Sequence, residues 1–101
     1  MSETPTVIIT GATGGIGKAI VRRFASEMAD VVINYSSNHE AAEELERMVF
    51  DYGGRAMSVQ TDISDYEATK ALVEKTLEWT GRVDILVNNA GITKDQLMLR
   101  M

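Results

Sequence analysis

The stretch that most constrains the fold is Thr10-Gly11-Ala12-Thr13-Gly14-Gly15-Ile16-Gly17-Lys18, set directly behind the apolar run Val7-Ile8-Ile9. A short β-branched run, clustered glycines and then an apolar period near 3.6 form the pattern of a strand handing over to a helix. Glycine suits such a turn because the backbone reverses sharply and stays open to close approach, which a Cβ would obstruct. The N–H groups and dipole of the helix that follows make a natural place for an anion. A turn that merely starts a helix and binds nothing is the plainer reading of the same residues.

The alternation continues along the chain. Val7 to Thr10 is short and β-branched, as a strand buried on both faces should be. From Gly15 onward Ile16, Ala19, Ile20 and Phe24 share one helical face, with Arg22, Arg23 and Glu27 on the other. Val31-Val32-Ile33 is a second buried strand running into Asn34-Tyr35. Ser37 and Glu40 have capping-box spacing, and Ala41, Leu45, Met48 and Tyr52 continue that helix until Gly53-Gly54 stops it. Ala56 to Gln60 alternates like a strand nearer the sheet edge, with Met57 and Val59 on one face. Ser64 and Glu67 repeat the capping-box spacing, Ala68, Leu72 and Trp79 line the inner face of their helix, and Gly81 ends it. Ile85-Leu86-Val87 is the fourth buried strand, Asn88-Asn89-Ala90-Gly91 a loop, and Gln96 to Met101 reads as the first turns of another helix. Four βα units in succession predict one α/β domain over residues 1–101, a Rossmann-like parallel sheet with right-handed crossovers.

Composition removes other classes. Apolar residues make up 45% and charged residues 25% of the 101, an ordinary globular profile. The net charge of −5 and the lack of a basic stripe argue against nucleic acid as a partner. Without cysteine there is no disulfide framework or thiolate metal site, and the single His39 argues against any other metal site. Met1 to Pro5 does not read as a signal peptide, and no apolar run reaches membrane-spanning length, so a cytoplasmic location without membrane partners is expected. Glu40, Glu43, Glu44 and Glu46 read as a solvated face, His39 as a solvated histidine and Trp79 as core.

Spacing separates the possible phosphate turns. A P-loop needs glycine where Ala12 stands and Ser or Thr where Ala19 stands, so that reading fails twice. The common G-x-G-x-x-G pattern fails as well, because Gly15-x-Gly17 leads to Ile20. What fits is Thr10-Gly11-x-x-x-Gly15-x-Gly17, followed after the fourth strand by Asn88-Asn89-Ala90-Gly91. With these two motifs the chain resembles the short-chain dehydrogenase/reductase family, whose hallmarks are T-G-x-x-x-G-x-G and N-N-A-G. The resemblance runs the whole length and includes Asp62-Ile63 and Ile92-Thr93-Lys94-Asp95. Within the family the chain is most similar to the 3-oxoacyl-(acyl carrier protein) reductases and acetoacetyl-CoA reductases.

That resemblance implies a sheet order of 3-2-1-4 and a set of cofactor-binding residues. Gly11, Thr13, Gly14, Gly15, Ile16 and Gly17 would cradle the pyrophosphate of a nicotinamide dinucleotide. Asp62 would meet the adenine amino group with Ile63 packed beside it, although a turn or helix-start acid is the plainer role for Asp62. Asn88, Ala90 and Gly91 would line the ribose and the route to nicotinamide, while Asn89 ties strands together. Asn34, Tyr35, Ser36 and Ser37 would border the adenosine ribose. No carboxylate stands at the end of the second strand to hold a ribose 2′-OH, so NADP(H) is favoured over NAD(H). Many NADP-dependent relatives carry Arg where this chain has Gly14, and only His39 offers a substitute cation. The family's catalytic Ser, Tyr and Lys have no counterpart here: Tyr66-Lys70 has the Y-x-x-x-K spacing but reads as an exposed helical pair. The expected role is therefore the cofactor-binding half of a carbonyl reductase, without catalytic residues. The alternative is a non-catalytic nucleotide-binding or self-associating module. A sheet ending at Ile85-Leu86-Val87 would leave a bare apolar edge, which predicts pairing with a second copy or with a complementary C-terminal fragment.

Overall fold

The computed structural model describes residues 4–62, 65–88 and 97–100. Strand β1 (Thr6–Ile9) is wholly buried and lies between two parallel neighbours, β2 (Asp30–Tyr35) and β4 (Ile85–Asn88). Strand β3 (Arg55–Gln60) pairs in parallel with β2, and β5 (Leu97–Arg100) pairs antiparallel with β4. The order is β3-β2-β1-β4-β5, so the expected parallel 3-2-1-4 core is present with one strand added beside it.

The strand period of two sorts the core into two layers. Val7 and Ile9 of β1, Val31 and Ile33 of β2 and Val87 of β4 pack with helices α1 (Gly15–Ser26) and α2 (His39–Asp51). Ile8, Val32 and Val59 point the other way, onto Leu72 of helix α3 (Tyr66–Thr80). Met57, Val73, Trp79 and Leu86 complete that second layer. Strands β1, β2 and β3 are each followed by a helix that returns the chain to start the next parallel strand, the connection that a right-handed crossover makes.

Several local expectations are corrected. The buried stripe of α1 is Gly17, Val21 and Ala25, with Ile20 and Phe24 partly buried, whereas Ile16 and Ala19 are exposed. Small residues on that stripe let the helix approach the sheet closely. The stripe of α2 closes on Val49, and Tyr52 is its exposed C-cap. Asn38, not Ser37, caps α2, its side chain accepting from the Ala41 N–H at 3.0 Å. Asp65 caps α3 by accepting from the Glu67 and Ala68 amides, in place of Ser64, which lies outside the described residues. Gly53 and Gly81 end their helices at positive φ, as expected.

Leu97 to Arg100 is a strand and not a helix. Residues 89–96 are too few for a parallel crossover, which takes a dozen or more residues, and β4 offers an unpaired row of backbone groups. Pairing across Ile85↔Arg100, Leu86↔Leu99, Val87↔Met98 and Asn88↔Leu97 satisfies that row. The bare β4 edge expected from the sequence is therefore absent, because β5 occupies it. The ends of the expected helix, Gln96 and Met101, lie outside the described residues.

Candidate functional site

Because β1 to β4 run parallel, the segments that follow them gather on one edge of the sheet. Gly11 follows β1, Ser36 follows β2, Thr61-Asp62 follows β3 and Asn88 ends β4. Strand β1 is also where the winding reverses, since its helix leads to β2 on one side while β4 lies on the other. Open α/β sheets bind ligands at this point, beyond the carboxyl ends of the strands.

The turn after β1 is fastened on both sides. Toward β4, the Thr10 N–H donates to the Val87 carbonyl at 3.0 Å and the Thr10 hydroxyl donates to the same oxygen at 3.3 Å. Toward β2, the Ala12 N–H donates to the Asn34 carbonyl at 2.9 Å and the Gly11 N–H to Asn34 Oδ1 at 3.2 Å. Gly11 has φ of +59°, a region where a Cβ is strained. At Gly17 a Cβ would lie 2.6 Å from the Gly11 carbonyl oxygen and 2.7 Å from Ala12 Cα, so the helix closes onto the turn only with glycine there. At Gly15 a Cβ would meet nothing within 4 Å.

The three helix starts differ in a telling way. Asn38 and Asp65 cap α2 and α3 with side-chain oxygens, and each of those helices carries a glutamate in its first turn. Helix α1 has Gly14 as its N-cap, no side-chain cap and no acid in its first turn. Its first-turn amides have no intrahelical acceptor, which leaves donors and positive potential at an exposed place. Gly14, Gly15 and Ile16 are exposed there and Thr13 is half-buried.

Around this turn the expected residues divide. Ser36, Ser37 and Asp62 are exposed on the same edge, with the Ser36 carbonyl accepting from Gln60 Nε2 at 2.8 Å and the Asp62 carbonyl from the Asp65 N–H at 3.0 Å. Asn34 and Tyr35 are instead buried. The Asn34 carboxamide is occupied by the protein itself, Nδ2 donating to the Val59 and Thr61 carbonyls at 3.4 Å each. The Tyr35 ring packs in the α1/α2 layer, and its hydroxyl meets His39 Nδ1 at 2.8 Å with the two rings edge to face. His39 is exposed but held, not a freely solvated side chain. Asn88 is the last residue of β4, while Ile63, Asn89, Ala90 and Gly91 lie outside the described residues. Tyr66 and Lys70 are both exposed on α3. Sequence reasoning missed the bracing role of Asn34, and its one signal was a polar residue inside the run Val31-Val32-Ile33-Asn34-Tyr35. Among the described residues no cluster of His, Cys, Asp or Glu could hold a metal, and no helix is long and apolar enough to cross a membrane.

The short chain dehydrogenase family model matches residues 5–101. The chain belongs to the short-chain dehydrogenase family. It is 42% identical over 93 residues to glucose 1-dehydrogenase 2 of Bacillus subtilis, covering 92% of this chain and 36% of that protein. It is 36% identical over 101 residues to the 3-oxoacyl-(acyl-carrier-protein) reductase of Staphylococcus aureus, covering all of this chain and 41% of that protein. This short-chain dehydrogenase chain thus spans about two-fifths of the length of the curated relatives it matches. Among solved structures, a candidate dehydrogenase from Burkholderia cenocepacia with bound NADP superposes with a TM-score of 0.80 at 30% identity, over 84% of this chain and 33% of that one. An NAD+-bound xylitol dehydrogenase superposes with a TM-score of 0.81 at 34% identity, over 87% of this chain and 34% of that one.

Proposed function

We propose that residues 1–101 form the dinucleotide-binding part of a short-chain reductase of the 3-oxoacyl-(acyl carrier protein) type, binding NADP(H) in preference to NAD(H). The observation that carries this reading is the uncapped, acid-free start of α1 behind a glycine turn where a Cβ at Gly15 would meet nothing within 4 Å among the described residues. Gly14, Gly15, Ile16 and Gly17 would present backbone amides to the pyrophosphate, with Thr13 beside them. Asp62 and Ile63 would take the adenine, and Asn88, Ala90 and Gly91 the path toward nicotinamide. When bound, the reduced nicotinamide would supply a hydride to a carbonyl carbon, and the oxidised form would accept one from the corresponding alcohol carbon. The preference for NADP(H) rests on the end of the second strand, Asn34-Tyr35, and the Ser36-Ser37 that follow it, where no carboxylate stands to repel a 2′-phosphate. With Asn34 and Tyr35 turned inward, that phosphate would meet Ser36, Ser37 and local backbone amides.

Isothermal titration of the chain with NADPH, NADH and ADP tests the reading. NADPH is expected to bind more tightly than NADH, and ADP measurably. NADH binding as tightly as NADPH overturns the preference, and no binding by any of the three overturns the site. A second reading is a nucleotide-binding module that performs no chemistry by itself. It is favoured by the exposure of Tyr66 and Lys70, the only Y-x-x-x-K pair in the chain, on the outside of α3. Dinucleotide binding without NADPH oxidation in the presence of an acetoacetyl thioester is its expected signature.

A further inference from the structure

Asn34 has a part in the site that neither the glycine pattern nor the second-strand pattern assigns to it. We propose that Asn34 is a positioning residue, whose carboxamide sets where the glycine turn stands relative to the end of β3 and so tunes affinity for the pyrophosphate of a dinucleotide; this rests on the dinucleotide reading above. The residue is 2% exposed and follows the apolar run Val31-Val32-Ile33 within β2. Asparagine is disfavoured in strands and costly to bury unless satisfied, so packing alone does not account for it. Its partners do. Oδ1 accepts from the Gly11 N–H at 3.2 Å, and Nδ2 donates to the Val59 and Thr61 carbonyls at 3.4 Å each. Its backbone carbonyl accepts from the Ala12 N–H at 2.9 Å.

These partners permit one orientation of the amide. A half-turn would set Oδ1 against two carbonyls and Nδ2 against an N–H, which removes all three bonds. One residue of β2 therefore grips Gly11 and Ala12 of the turn and is itself aligned by the Val59 and Thr61 carbonyls at the end of β3. Asp62, the expected adenine contact, directly follows Thr61 in that same segment. The carboxamide thus links the pyrophosphate end of the site to its adenine end. Aspartate would face the two carbonyls with a charge and no donor, and alanine would remove the bond to the Gly11 N–H while keeping the backbone bond from the Ala12 N–H to the Asn34 carbonyl.

Asn34→Ala in the 101-residue chain is the test, with urea unfolding to establish that the variant is folded. Exchange of the Gly11 amide with D2O is followed by NMR without ligand, and binding of NADPH and of adenosine 2′-monophosphate is measured. The expected result is faster Gly11 exchange and NADPH affinity about tenfold weaker, the scale of one lost hydrogen bond. Adenosine 2′-monophosphate, which has no pyrophosphate, should change by less than about twofold. Unchanged NADPH affinity, or equal losses for both ligands, overturns the proposal. Should Asn34→Ala not fold, Asn34→Ser, which keeps a small polar acceptor, is read in the same way. If the unaltered chain binds neither ligand, the dinucleotide reading fails, and unchanged Gly11 exchange in the variant then separately overturns the brace.

Discussion

At Gly17 and Gly15 the same added methyl group has opposite consequences. The Cβ of Gly17→Ala would meet the Gly11 and Ala12 backbone at 2.6 and 2.7 Å, and backbone cannot swing aside as a side chain can. That variant should lose about 2–3 kcal/mol, the range of a forced overpacking, read as a lower urea midpoint. Gly15→Ala meets nothing within 4 Å and should unfold at or slightly above the normal midpoint. On the proposed reading it nevertheless weakens NADPH in a calorimetric titration, because the new methyl occupies the ligand's space. Met28 is the reverse case. It holds φ of +64° where α1 ends, with its N–H donating to Ala25 and the Ala29 N–H donating to Phe24, the bond pair that normally favours glycine. Met28→Gly should raise stability by about 0.5–1 kcal/mol in the same urea experiment. The stops at Gly53 and Gly81 could be read from residue type, whereas the stop at Met28 could not, because the chain bears the strain without the residue that signals it.

Among the elements, the helix starts separate structural work from proposed ligand work. Removing the cap with Asp65→Ala should cost about 1 kcal/mol through the lost bonds to the Glu67 and Ala68 amides, measurable by denaturant titration. Helix α1 has no equivalent side chain to remove, which fits an N-terminus kept for an outside anion. The existence of the three helices was plain from apolar period, and for α2 and α3 from their glycine stops as well. Their caps were shifted by one residue for α2, because Ser37 and Asn38 are both good capping types and only backbone geometry selects Asn38. The inner stripe of α1 was misread at Ile16 and Ala19 for a related reason. Hydrophobicity alone favoured Ile16, while close approach to the sheet favoured the Gly17, Val21 and Ala25 side.

For the molecule as a whole, two features hold the sheet as a unit. At the edge opposite the site, Asp84 accepts from the Thr6 N–H at 2.8 Å and from Arg82 Nε at 2.7 Å, tying the start of β1 to the approach of β4. The hydrogen bond from Arg82 chiefly holds the Asp84 carboxyl below the ordinary carboxylate value, with burial opposing it and the Thr6 amide adding to it. A lowered folded-state value contributes stability above the ordinary carboxylate pKa, and that contribution disappears as pH falls through the lowered one. Asp84→Asn should therefore flatten the acid limb of a stability-against-pH curve relative to the unaltered chain. At the other side, β5 covers β4. Removing residues 97–101 should expose Ile85-Leu86-Val87 as an apolar edge and shift sedimentation toward higher mass, and an unchanged profile would deny β5 that protective role. By itself the sequence determined the succession of elements as far as β4 and the placing of the glycine turn between the first strand and the first helix, while the 3-2-1-4 order was implied by the resemblance to the family and is present in the sheet. The elements and the turn follow from apolar period and turn chemistry, which are written locally. Only the tertiary structure decided that Asn34 faces inward as a brace and that Leu97 to Arg100 pairs as a strand. Each of those outcomes depends on donors and acceptors that a distant segment presents, and no local pattern of residues encodes them.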